Sequence, residues 1–141
     1  MKIYQRIDRL LQHPAASSPA LAWLLVGVYC LAIFLQSAFP TPGDLPAIPG
    51  ADKLAHLVIY LILDLLFARA YGLTLPKYAI GGLFALAWIS TALYGASDEI
   101  HQAFVAARSA DLFDWLADLV GGGLGVGIYL RAGRTRTGSR P

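Results

Sequence analysis

With 57% apolar and only 14% charged residues in 141, and a mean hydropathy of +0.57, the chain departs from soluble domains, which hold roughly 45–50% apolar and about 25% charged residues. The net charge of +2 says little by itself, and no nucleic-acid partner is expected. The lone cysteine, Cys30, lies in an apolar run, which excludes an internal disulfide and a thiolate metal site and leaves it as a small hydrophobe.

In chain order, residues 1–13 read as an amphipathic helix lying at a membrane interface, with Ile3, Ile7, Leu10 and Leu11 recurring at helical spacing opposite Lys2, Arg6 and Arg9. A spanning helix needs about 20 mostly apolar residues. The first such window, Ala20 to about Phe39, carries no charge and is closed by Pro40, Pro42, Pro46 and Pro49. It exceeds the roughly 7–15 residues of a signal core, which favours an uncleaved anchor. The second window runs from Leu54 to about Tyr71 and the third from Tyr78 to about Ala96. The fourth, Leu112 to Leu130, carries Asp114 and Asp118 in its first turns, so it must be packed inside a bundle rather than face lipid alone. Its pairs Gly121/Gly125 and Gly123/Gly127 have the small-xxx-small spacing that lets membrane helices approach closely.

The predicted fold is therefore an all-α integral membrane protein. Residues 20–130 form a four-helix transmembrane bundle, preceded by the short amphipathic helix and followed by a disordered basic tail at 131–141. Nine of the eleven basic residues fall on one side of this arrangement: Lys2, Arg6, Arg9, Arg69, Lys77, Arg131, Arg134, Arg136 and Arg140. The positive-inside rule makes that side cytoplasmic, with both termini in and the protein multi-pass in the plasma membrane. The tail suits anionic lipid. Lys53 and Arg108 lie on the other side.

Seven of the nine acids share that outer side: Asp44, Asp52, Asp98, Glu99, Asp111, Asp114 and Asp118. His56 and His101 lie there too. Asp52 and His56 share a face at the start of the second helix, and the stripe continues through Tyr60 to Asp64. Asp64 is roughly 18 Å along the helix from Asp52 at about 1.5 Å per residue, a depth at which an ionisable group must pair, protonate or face water. A hydrogen bond to another helix is the plain alternative. Thr91, Tyr94, Asp98 and His101 form one face of the third helix, with Gln102 beside Asp98 and Glu99 pointing elsewhere. Asp111, Asp114 and Asp118 form one face of the fourth. Each stripe is costly against lipid, so convergence on one site is expected. N-capping accounts for Asp52 and Asp111 individually. Arg108, with Lys53, suits a phosphate or carboxylate ligand, or else neutralises nearby acids. The mixture of Asp, Glu and His also suits a divalent cation, but such clusters are common without one. No metal and no cofactor is expected.

The run Asp52-Lys53-Leu54-Ala55-His56 resembles the opening motif of the VanZ-like membrane family. So does the block from Ser97 to Phe104, followed by Arg108, Asp111, Asp114 and Asp118 ahead of the glycines. The resemblance spans Asp52 to about Gly125. It implies a small multi-helix bacterial membrane protein of a family named after an accessory protein of glycopeptide (teicoplanin) resistance. By position it marks Asp52, Lys53, His56, Ser97, Asp98, Glu99, His101, Gln102, Arg108, Asp111, Asp114 and Asp118; Asp64 lies outside the pattern.

Three functions follow as expectations. The first is an enzyme acting on an envelope lipid or lipid-linked glycan, with His56 or His101 as general acid/base oriented by Asp52 or Asp98, and with Glu99 in the same catalytic group. Arg108, Lys53, Gln102, Asp111, Asp114 and Asp118 would then contact an anionic lipid or lipid-linked ligand. The second is a non-enzymatic binder of an antibiotic, a lipid head group or an ion. The third is a small proton-coupled carrier, for which a homodimer is expected.

Overall fold

The computed structural model describes residues 18–39, 49–76, 79–106, 108 and 110–137. Its elements are four helices: α1 (Pro19–Ser37), α2 (Ala51–Thr74), α3 (Ile80–Gln102) and α4 (Leu112–Thr137), with no strand among the described residues. The first three are long and apolar enough to cross a membrane. The amphipathic segment expected at 1–13 lies outside the described residues.

Local chemistry sets the ends. Ser18 caps α1 by accepting from the Leu21 N–H, and Pro19 follows at a position where its missing N–H costs nothing. Gly50 starts α2 at φ 78°, a left-handed conformation that a side chain would strain. Asp52 therefore sits in the first turn of α2 rather than at its cap. Asp111 does cap α4, its Oδ1 accepting from the Phe113 N–H at 2.8 Å. Three helices outrun the expected spans, α2 by three residues at each end. α3 continues past Ala96 to Gln102 because Asp98, Glu99 and Gln102 are buried against neighbouring helices. α4 continues past Leu130 to Thr137 through Arg131, Arg134 and Arg136, which are strong helix formers. The last four residues of the tail are not described.

α2 is the central helix and α4 its closest neighbour. At Gly121 an added Cβ would meet the carbonyl of Leu57, and at Gly125 it would lie 2.6 Å from the carbonyl of Leu61. Both pairs are four residues apart, so one stripe of α4 rests on the bare backbone of α2. The second glycine pair does not do this. An added Cβ at Gly123 comes no nearer than 3.8 Å to Trp88, and at Gly127 it meets nothing within 4 Å. Gly122 instead admits Thr91 and Trp88 of α3.

Several polar side chains inside the bundle are tied helix to helix, which suits a medium without water. Trp88 Nε1 donates to the Leu119 carbonyl at 2.9 Å and Trp115 Nε1 to the Ala92 carbonyl at 3.1 Å, a reciprocal pair joining α3 and α4. Tyr29 and Tyr94 hydroxyls donate to the carbonyls of Ile59 and Cys30, at 3.2 and 2.6 Å. Asp64, wholly buried on α2, accepts from the Thr91 hydroxyl at 3.1 Å. The outward faces of α1, α3 and α4 expose Leu24, Leu31, Leu93 and Val120, a coat suited to acyl chains.

Overfilling the α2–α4 seam should therefore cost stability where lost flexibility would not. Gly125→Ala and Gly121→Ala should each lower the thermal midpoint in detergent, by about 1–3 kcal/mol of overpacking. Gly127→Ala should be neutral or slightly stabilising, because alanine favours helix. Equal effects at Gly125 and Gly127 would contradict this packing.

Candidate functional site

α1 and α3 end where α2 and α4 begin, so four helix termini meet at one end of the bundle. The outermost layer there is built on Lys53. Its Nζ lies 2.9 Å from Asp52 Oδ2, 3.0 Å from Asp111 Oδ2 and 2.9 Å from Asp114 Oδ1. An ammonium group has three donors, and three carboxylates take them. Asp111 precedes α4, and its carboxyl is held below the ordinary aspartate range, first by the Phe113 N–H and then by Lys53.

One turn deeper on α2, His56 faces α4. Its Nδ1 is 3.0 Å from Asp118 Oδ1, and its Nε2 is 4.0 Å from Asp114 Oδ2. Asp118 has no exposed surface. Tyr60, a turn further down, lies parallel to the imidazole with ring centroids 6.1 Å apart. α3 contributes Glu99, which is buried and accepts from the Asp111 N–H through Oε2 at 2.8 Å. Glu99 does point away from the Asp98–His101 face of α3, and it points toward α2 and α4. It is the α3 residue that joins His56 and Asp118, and the donor atoms of these three side chains lie within 4.8 Å of one another. Among the described residues they are the group that could hold a metal ion.

Asp98, His101 and Gln102 turn to α1 instead. Asp98 Oδ2 accepts from Ser37 Oγ at 3.1 Å and from Gln102 Nε2 at 3.0 Å, and Gln102 also reaches Ser37 Oγ at 3.3 Å. Ser37 has no exposed surface. Its role was visible in the sequence only as a polar residue ending an apolar run. The His101 ring packs on Phe34 with centroids 4.4 Å apart. The structure therefore brings Asp52, Lys53, His56, Glu99, Asp111, Asp114 and Asp118 together, and gathers Asp98, His101 and Gln102 separately at α1.

Arg108 belongs to neither group. Its Nε donates to the Phe39 carbonyl at 3.1 Å and its Nη2 to the Gln36 carbonyl at 3.3 Å. It thus covers carbonyls left open at the end of α1. Ser97 is exposed, its hydroxyl donating to the Tyr94 carbonyl at 2.7 Å.

Beside Glu99 and Asp111 a cavity of about 350 Å³ opens between α3 and α4, walled by Ala96, Ile100, Leu112 and Trp115. An apolar slot thus adjoins a polar cluster. Chemically, a buried carboxylate that orients an imidazole is the arrangement of a general acid/base.

The Arg108 contacts carry a structural expectation. Arg108→Ala should speed amide exchange at the last turn of α1 by about tenfold, because hydrogen bonds from a charged donor contribute about 1.5 kcal/mol or more. Exchange in α4 should stay unchanged. Unaltered exchange in α1 would show that Arg108 does not hold that end.

A family model described as VanZ/LLP1 matches residues 24–133, which take in α2, α3, most of α1 and α4, and both polar groups. No curated protein and no solved structure matches the chain. The match takes in the Asp52–His56 motif on α2, the Ser97–Phe104 block at the end of α3 and the aspartates of α4, and with three helices fit to cross a membrane the chain belongs to the VanZ/LLP1 family of membrane proteins.

Proposed function

We propose that this protein binds the polar head of an envelope lipid, a lipid-linked glycan or a glycopeptide antibiotic at the outer leaflet. The observation that carries the reading is the pairing of the Lys53–His56–Glu99–Asp118 cluster with the apolar slot along Ala96, Ile100, Leu112 and Trp115. An amphiphile has the same two parts in the same order. Its head needs polar partners, and its chain needs an apolar wall reachable from the bilayer. A link to glycopeptide resistance, through altered handling of such a molecule, fits the family's name.

The outward orientation is part of the proposal. It rests on the basic residues lying opposite the cluster end, which by the positive-inside rule keeps both termini in the cytoplasm and the protein multi-pass in the inner membrane. A reporter that works only outside the cytoplasm should be active when fused after Arg108 and silent when fused after Tyr71. The reverse pattern would invert the site.

The contacts of the two basic residues bear on the ligand's charge. Arg108 is engaged with α1 carbonyls, and Lys53 is surrounded by carboxylates. Hydroxyls and ammonium groups of a head suit this cluster directly. An anionic head requires a further cation.

A second reading, catalysis on the bound head group, is favoured by one specific contact: the buried Asp118 holding His56 Nδ1 at 3.0 Å. His56 would act as general acid/base with Asp118 orienting it. Purified protein incubated with labelled lipid-linked precursors should release a new species if this holds, and return unchanged ligand if the protein only binds.

The binding reading is tested by mass spectrometry of lipids that co-purify with the protein. The wild type should retain a defined class. His56→Ala and Trp115→Ala should each retain roughly tenfold less, equal to about 1.4 kcal/mol of affinity, while Ser97→Ala retains it fully. Equal retention by all four proteins would contradict the site.

A further inference from the structure

We infer that His56, Glu99 and Asp118 form a binding site for a divalent transition-metal ion such as Zn²⁺ or Mn²⁺. The three residues come from three helices, α2, α3 and α4, and their donor atoms converge within 4.8 Å. Convergence alone would be weak, since acidic groups often cluster without an ion. A second observation points to a ligand. Asp118 Oδ2 and Glu99 Oε1 are both fully enclosed and have no hydrogen-bond partner, in side chains that are 0% and 7% exposed as residues. A buried carboxylate oxygen without a donor costs on the order of 1–3 kcal/mol or more, so two in one place call for a positive partner.

The protein's own cations near this place do not supply it. Lys53 donates to Asp52, Asp111 and Asp114, and to neither Glu99 nor Asp118. Arg108 faces α1. His56 meets Asp118 through Oδ1 only, leaving Oδ2 directed at α3, where an added Cβ on Gly95 would lie 2.8 Å from it. Gly95 is one turn before Glu99, so the open oxygen of Asp118 looks toward the helix that carries the open oxygen of Glu99.

Donor chemistry selects the ion. Imidazole nitrogen with two carboxylates suits Zn²⁺ or Mn²⁺ better than Ca²⁺ or Mg²⁺, which take oxygen ligands alone. His56 Nδ1 and Asp118 Oδ1, 3.0 Å apart, can both reach one ion at about 2.0–2.2 Å. The ion then replaces the proton that these two atoms share; that proton moves to Nε2 of a neutral His56 and leaves to solvent from a charged one. Three protein ligands leave a coordination position open. Its use in holding an anionic head group rests on the proposed binding function; the ion site itself does not.

The test uses the full-length chain in phosphatidylcholine nanodiscs, stripped with a chelator and titrated with Mn²⁺ or Zn²⁺. Electron paramagnetic resonance follows Mn²⁺, and competition follows Zn²⁺. The wild type should bind about one ion per chain, with a raised thermal midpoint. Glu99→Gln and Asp118→Asn, close in shape to the native residues, should each weaken binding by roughly tenfold or more. Asp52→Asn should leave it within about twofold, since Asp52 contacts only Lys53 on the exposed rim. Absence of ion binding in the folded wild type, or equal affinity in Asp118→Asn, would overturn the site. Lipid retention measured on the same samples separates the two ideas: ions bound without lipid would sink the head-group reading alone, and lipid retained without ions would sink the metal site alone.

Discussion

Hydrocarbon cannot solvate an ionisable group, and the arrangement of α2 against α4 follows from that constraint. A lone Asp or His at spanning depth costs at least about 2.5–3.5 kcal/mol by the mildest scale. His56 and Asp118 lie on different helices and are brought to 3.0 Å only because the two backbones approach closely. Gly121 and Gly125 permit that approach by resting on the carbonyls of Leu57 and Leu61. Gly121 lies only three residues past Asp118, and Leu57 directly follows His56. The small residues and the polar pair are thus one device: the first sets the distance at which the second can form.

α3 serves two neighbours at once. Its last two turns send Glu99 toward α2 and α4, and send Asp98, His101 and Gln102 toward α1. Adjacent residues on a helix differ by about 100° in direction, so Asp98 and Glu99 cannot serve the same partner. The consequence is a division of labour. The group at α1, with Ser37 and with Arg108 on the α1 carbonyls, anchors that helix. The group between α2, α3 and α4 keeps two buried carboxylate oxygens, Glu99 Oε1 and Asp118 Oδ2, without a donor.

Much of this was legible in the chain itself. Apolar windows located the helices to within a few residues, and the Gly121/Gly125 spacing pointed to a close seam. Asp64 at depth was read as needing a partner, and the Thr91 hydroxyl is that partner. The end of α3 runs past the apolar window because hydropathy fades where polar residues are buried by neighbours, and Asp98, Glu99 and Gln102 are such residues; the end of α4 runs past it through basic residues. The rotation of α3 was not legible. A period of 3.6 tells which residues share a face, but not which face meets which helix, so the sequence groups Glu99, Asp98 and His101 with His56, whereas only Glu99 of the three joins it. Arg108 was read by its charge, whereas its contacts are with backbone carbonyls that no side-chain pattern reveals.

A double-mutant cycle measures the interaction of His56 with Asp118 across the α2–α4 seam. Reversible unfolding in detergent would be compared for wild type, His56→Ala, Asp118→Ala and the double variant. The two losses should be strongly non-additive, with a coupling of about 1–3 kcal/mol. Additive losses within about 0.5 kcal/mol would mean that the two groups do not meet, and the site built on their contact would fall with them.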